Sequence, residues 1–181
     1  MIRVDSEQAR RLLIQLSNFF RSNLQGARTN LIPLMKELMQ VEAYRSLEQA
    51  RFPDRYQVTI AVEEGLEEVL LPPFLIQILL ENAFKHAFGS RKTDNRVWID
   101  VRSSPDGVFI SVRDNGEGID TKRLEKLGKE AVPSLEGTGS ALDNLNKRLT
   151  SLFGESAKLH FVSSPTGTTV HCTVPYQERQ G

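Results

Sequence analysis

Val112-Arg113-Asp114-Asn115-Gly116-Glu117-Gly118-Ile119 is the stretch on which the reading of this chain turns. It leaves a strand, residues 108–113, and enters a loop punctuated by two glycines. Glycine permits backbone conformations and close approaches that a Cβ blocks. An ionised carboxylate at a strand end can accept a hydrogen bond from an amino group such as that of adenine. A calcium loop fits poorly, because the alternating carboxylates and closing Glu of an EF-hand are missing. A plain acidic turn remains open at this point.

Working outward, residues 97–103 read as a second strand, joined to the first by the turn Pro105-Asp106-Gly107. Before it lies a helix over about 74–88, led by Pro72 and Pro73. Leu75, Ile76, Leu79, Leu80, Ala83 and Phe84 would form its buried side, and Gln77, Glu81, Asn82, Lys85 and His86 are the polar exceptions. Asn82, Lys85 and His86 lie within about one turn. An amide oxygen suits Mg²⁺, and a neighbouring ammonium suits phosphate. A solvated helix face would carry the same residues. Downstream, Gly137-Thr138-Gly139-Ser140-Ala141-Leu142 opens a helix over 141–153. Such a turn offers free N–H groups and a positive dipole end to an anion. It is not a Walker A loop, since no Gly-Lys-Ser/Thr follows, and an ordinary helix start is the alternative.

The remaining chain supplies two leading helices, 5–25 and 34–51, then a strand over 56–62 after the breaker Phe52-Pro53-Asp54-Arg55. Strands over 159–162 and 168–174 close the sequence around Ser164-Pro165-Thr166-Gly167. The order is two helices, then β-α-β-β-loop-α-β-β, with most strand neighbours joined by hairpins. That pattern predicts an α+β fold: a two-layer sandwich whose mixed, mostly antiparallel sheet is covered by helices on one face. A doubly wound fold would alternate strand and helix more strictly. The expected division is a helical segment, 1–51, and a second unit, 52–181.

Hydrophobic residues make up 39% of the 181, enough for a core, and charged residues 25%. Lys plus Arg equals Asp plus Glu at 23 each, so no net field draws the protein to nucleic acid. The single cysteine, Cys172, cannot form an internal disulfide and fits a reducing compartment. There is no apolar run of about 18 residues and no signal-peptide pattern at the start. The chain is therefore expected in the cytoplasm.

In their order, the three stretches resemble the N box, G1 box and G2 box of the ATPase superfamily that joins histidine kinases, DNA gyrase, MutL and the ninety-kilodalton heat-shock chaperone, the Bergerat fold. Gly167-Thr168 fits a fourth element, a threonine near adenine. Leu71-Pro72-Pro73-Phe74-Leu75-Ile76-Gln77, Asn144-Leu145-Asn146-Lys147-Arg148-Leu149 and Phe153-Gly154 look like the LytS-type sensor kinases. So do Leu16-Ser17, Phe20-Arg21, Glu42-Ala43-Tyr44, Glu48 and Ala50-Arg51-Phe52, which resemble the segment between that group's histidine motif and its ATPase domain.

The resemblance implies an ATP-binding protein-histidine kinase domain of a two-component system. Asn82 would ligate Mg²⁺, and Glu81, the other implied catalytic residue, would polarise the acceptor histidine, coordinate Mg²⁺ through water or form a salt bridge. Lys85 would contact phosphate, and His86 would pack or bond beside adenine. Asp114 would accept from the adenine amino group, while Gly116 and Gly118 let backbone pass close to the base. Gly137 and Gly139 would close a lid over about 120–136, and Thr168 would support the adenine site. Ile119, Thr138 and Leu142 complete the implied nucleotide contacts. Arg148 fits a structural ion pair as well as a phosphate ligand. Implied partners are the phosphoacceptor histidine region of the parent kinase and a response regulator, with the parent a membrane-anchored homodimer.

Two departures from family patterns bear on mechanism. Nothing resembles the group's Pro-His-Phe-Leu-Phe-Asn acceptor motif, and His160 and His171 read as strand histidines, so the chain is expected to begin after that motif. Water-hydrolysing relatives place a Glu one helical turn before the Mg²⁺ asparagine, and here that position is Ile78. This favours transfer to a protein nucleophile over an ATP-gated conformational module or an anti-sigma-type serine kinase.

Overall fold

The computed structural model describes residues 30–119 and 138–178, with no side-chain description for 138–140. The expected helix over 5–25 lies outside the described residues. The elements are β1 (Ile32–Pro33), α1 (Leu34–Arg51), β2 (Tyr56–Val62), β3 (Leu70–Leu71), α2 (Leu75–His86), β4 (Asn95–Ser104), β5 (Gly107–Asp114), α3 (Thr138–Phe153), β6 (His160–Ser164) and β7 (Gly167–Val174). A 3-10 turn covers Glu155–Ala157.

Five strands form one sheet in the order β2-β4-β5-β7-β6. Only β2–β4 is a parallel pair within it; the other three are antiparallel. The register aligns apolar residues across the sheet. Ile60 faces Ile99, Ile99 faces Val112, Val112 faces Val170, and Val170 faces Phe161. Because strand side chains alternate between faces, this row and its neighbours Val101–Ile110–Cys172 share one face. That face joins Leu75, Ile76, Leu79 and Leu80 of α2 and Leu142, Leu145 and Leu149 of α3 in one core. Each such fully buried aliphatic side chain contributes about 1.5–3 kcal/mol. The α+β fold with helices on one sheet face is therefore what the chain adopts.

The same alternation places Asp114 on the helix side of the sheet, in line with Val112 and Ile110, at the end of β5. Its burial follows from strand parity. Arg113 and His171 point to the opposite face, where Arg113 lies over Trp98 at 4.3 Å and His171 stacks on His160 at 5.3 Å.

The small ribbon β1–β3 has no signature in the sequence, being two residues per strand. It anchors α1: the first helical N–H groups, those of Leu34 and Met35, donate to the carbonyls of Val69 (2.8 Å) and Glu67 (2.9 Å). Helix N-terminal donors lack intrahelical partners, and here a loop supplies them. Leu34 and Val41 of α1 are fully buried in the shared core.

Candidate nucleotide site

Asp114 is the centre of the candidate site. Its Oδ1 accepts the backbone N–H groups of Gly116 (2.8 Å) and Thr168 (3.2 Å). Its Oδ2 accepts nothing among the described residues. The residue is 8% exposed. Burial pushes its carboxyl above the ordinary range, while the N–H groups of Gly116 and Thr168 and the charge of Arg91 act the other way. One oxygen is thus held by two backbone N–H groups.

Neighbouring backbone fixes this carboxylate. A Cβ on Gly116 would sit 2.2 Å from the Ala87 carbonyl oxygen, just beyond α2, and Glu117 N–H donates to that oxygen at 2.9 Å. A Cβ on Gly118, at φ +76°, would sit 2.0 Å from the Ser164 carbonyl oxygen. Ile119 N–H donates to Ser163 Oγ at 2.8 Å, and Ser163 Oγ bonds Thr168 Oγ1 at 2.9 Å. Asp114, Gly116, Gly118, Ile119 and Thr168 are therefore brought together, wedged between the end of α2 and the β6–β7 turn. The close approaches made by the glycines are to protein backbone.

On α2, Asn82 is half-buried, one helical turn before His86. Glu81 Oε1 accepts from Gln77 Nε2 at 2.9 Å, and Lys85 Nζ lies 3.5 Å from Glu81 Oε2. Ile78 packs against the core. The position at which water-activating relatives carry a carboxylate is thus a packing position here. Thr138 and Gly139 begin α3, and Leu142 is buried in the core. Gly137 and the expected lid lie outside the described residues. Arg148 Nη2 donates to the Pro73 carbonyl.

A family model described as histidine kinase-, DNA gyrase B- and HSP90-like ATPase matches residues 73–178, which hold all of this geometry. The chain belongs to that ATPase family.

A second model, described as histidine kinase, matches residues 1–56. Among individual relatives, the sensor protein LytS of Staphylococcus epidermidis is 55% identical over 98% of this chain and 30% of its own length. The sensor histidine kinase/phosphatase LytS of Staphylococcus aureus is 52% identical over 99% of this chain and 31% of its own length. The chain thus spans about a third of the length of these curated relatives. Solved structures share the fold. The histidine kinase domain of an Erythrobacter litoralis blue-light activated kinase aligns at a TM-score of 0.60 and 19% identity, over 94% of this chain and 80% of that one. The nucleotide-free catalytic domain of the histidine kinase ThkA aligns at 0.62 and 16%, over 81% of this chain and 94% of that one.

Within this ATPase fold, several residues that shape the site carry no motif in the sequence. Ser163 is one, tying the loop after Asp114 to Thr168. Arg91 is another: its guanidinium donates to Asn95 Oδ1 (2.7 Å), Asn115 Oδ1 (2.8 Å) and the Asn115 carbonyl (3.0 Å). It staples the α2–β4 loop to the residue following Asp114. Glu37 of α1 likewise carries no motif, although it accepts from the Phe74, Ile76 and Gln77 N–H groups that open α2; a signal for it did exist, since it stands three residues after Leu34 and four before Val41, inside the apolar stripe.

Proposed function

We propose that this chain is the ATP-binding catalytic part of a sensor histidine kinase. In this reading residues 52–181 bind the nucleotide, and residues 1–51 are the tail of the dimerisation and phosphotransfer region. The observation that carries it is the half-satisfied carboxylate of Asp114: two backbone N–H groups occupy Oδ1, and in this reading Oδ2 accepts from an amino donor such as that of adenine. The N–H groups of Gly116 and Thr168 hold Oδ1, Gly118 and Ile119 fix the loop after Asp114 against β6, and His86, Leu142, Thr138, Gly137 and Gly139 complete the nucleotide contacts.

The donor set of α2 fits Mg²⁺. Asn82 offers one neutral oxygen on a half-buried surface, and among the described residues no cluster of three His, Cys, Asp or Glu side chains could form a protein cage. Mg²⁺ takes few protein ligands and shares the rest with phosphates and water. When bound, it neutralises charge across the transferring phosphoryl group. Lys85 would add its ammonium to the phosphates. Glu81, already paired to Gln77 and Lys85, would orient this polar face of the helix. With Ile78 in place of a water-orienting carboxylate, an imidazole delivered from the phosphoacceptor region is the nucleophile. The acceptor is a histidine other than His86, His160 and His171, in a membrane-anchored dimeric parent that serves a response regulator.

The test supplies γ-labelled ATP, this chain, and a parent kinase whose own ATP site is disabled and whose acceptor histidine is intact. Acid-labile label is expected on the parent and not on the chain. Label on the chain's own histidines, or none anywhere although ATP binds, overturns the proposal.

A further inference from the structure

We infer that Glu37 is a positioning residue for nucleotide binding: reaching across from α1, it caps α2 and so sets the placement of Asn82. The inference rests on the reading of Asn82 as the Mg²⁺ ligand given above.

Helix α2 has no cap of its own. Its N-cap residue is Phe74, which sits in the left-handed region at φ +68° and makes no side-chain cap bond. For an aromatic residue that conformation is unfavourable. Pro72 and Pro73 precede it and offer no N–H. The first-turn donors are instead taken by one carboxylate, distant in sequence. Glu37 Oε2 accepts from Phe74 N–H at 2.8 Å, and Oε1 accepts from Ile76 and Gln77 N–H at 3.0 and 3.2 Å. Glu37 is fully buried. Arg148, from α3, grips the Pro73 carbonyl and faces Glu37 electrostatically. Three helices therefore meet at one carboxylate, which also complements the positive end of α2.

A second attachment lies farther along the same face of α1. Tyr44, seven residues on from Glu37, stacks on Phe84 at 5.9 Å and 25°, and Phe84 stacks on Tyr56 at 4.2 Å. Asn82 lies between the two attachments. It is five residues from Gln77, or about 7.5 Å along the helix. Mg²⁺ demands near-octahedral geometry at short distances. Misplacing a ligand by about 1 Å from afar can cost on the order of 100-fold in function. The cap comes from a residue outside the stretch that the ATPase family model matches, 73–178, and inside the stretch matched by the histidine kinase model, 1–56. Whatever moves α1 is thereby coupled to the metal side of the nucleotide site, while the adenine side rests on Asp114.

The experiment measures ADP affinity calorimetrically with Mg²⁺ and with EDTA, for the 181-residue chain and for Glu37→Gln. The amide keeps the size but loses one acceptor and, above a pH of about 7, the charge. Expected is at least about a fivefold loss in the enhancement of affinity by Mg²⁺, with Mg²⁺-free affinity changed less than about twofold. Hydrogen exchange should quicken at Phe74, Ile76 and Gln77. An unchanged Mg²⁺ enhancement in the folded variant overturns the inference and leaves Glu37 a stability residue. Glu37→Asp, which keeps the charge and withdraws the oxygens, repeats the measurement should Glu37→Gln not fold, with the same two outcomes. Failure of the nucleotide reading itself is distinct: the unsubstituted chain would then bind no ADP at all.

Discussion

Replacing Asp114 by Asn tests the centre of the site with almost no change in shape. In the native geometry Oδ1 already accepts two N–H groups, from Gly116 at 2.8 Å and Thr168 at 3.2 Å. An Asn side chain has two choices. It can keep its oxygen on those N–H groups and turn its own NH₂ toward the bound amino group, donor against donor. Or it can flip, aim oxygen at the ligand, and set NH₂ against Gly116 and Thr168. The first leaves the loop intact and is favoured, because the second breaks two buried bonds. Ligand binding then loses a hydrogen bond to a charged acceptor, about 1.5–3 kcal/mol. At 1.4 kcal/mol per factor of ten, that is roughly a 10- to 100-fold weaker Kd. The fold should be little affected, since the loop bonds survive and a buried charge is removed. Calorimetry with Mg²⁺ and ADP, beside thermal unfolding of both proteins, reads the two quantities separately. Equal affinities in two folded proteins would refute the argument.

Gly118→Ala places a methyl 2.0 Å from the Ser164 carbonyl oxygen at φ +76°, and should cost about 2–4 kcal/mol in urea unfolding; a loss under about 0.5 kcal/mol contradicts the packing described. Burial raises the Glu37 carboxyl from 4.5 to about 7, against the opposing pull of the Gln77, Phe74 and Ile76 N–H groups and Arg148. The folded chain then holds a proton that the unfolded chain releases, so this contribution to stability is complete below 4.5 and lost as pH rises through about 7, on the order of 3 kcal/mol. Stability measured across that window should fall more steeply in the native chain than in Glu37→Gln, and identical slopes would show that Glu37 does not titrate there. Cys172 is fully buried and its thiol is pushed up to about 12, so iodoacetamide at neutral pH should label it only in denaturant. Labelling of the folded protein at the denatured rate would contradict that burial.

What could be read from the sequence was local. Period-two apolar alternation marked β2, β4, β5 and β7 to within a residue or two. Helical spacing marked α1 and α2 as closely, and the start of α3 lay three residues ahead of its expected position, inside the glycine-rich turn. Asp114, Gly116 and Gly118 stood out because a strand end followed by spaced glycines is a chemical statement needing no partner. The parallel pairing of β2 with β4, the two-residue ribbon β1–β3 and the order of the strands were not legible, since each depends on which distant segments meet.

By itself the sequence determined which segments are helix or strand, and which side chains at their ends have chemistry to offer. Only the tertiary structure decided how those groups are held. Glu37 reaches residues 37 to 40 positions away, and Thr168 meets Asp114 across 54. The physical reason is that periodicity reports the face a residue occupies along its own element, whereas a hydrogen bond between elements depends on how they pack. A buried carboxylate and a buried leucine can occupy the same stripe, and only the donors opposite tell them apart.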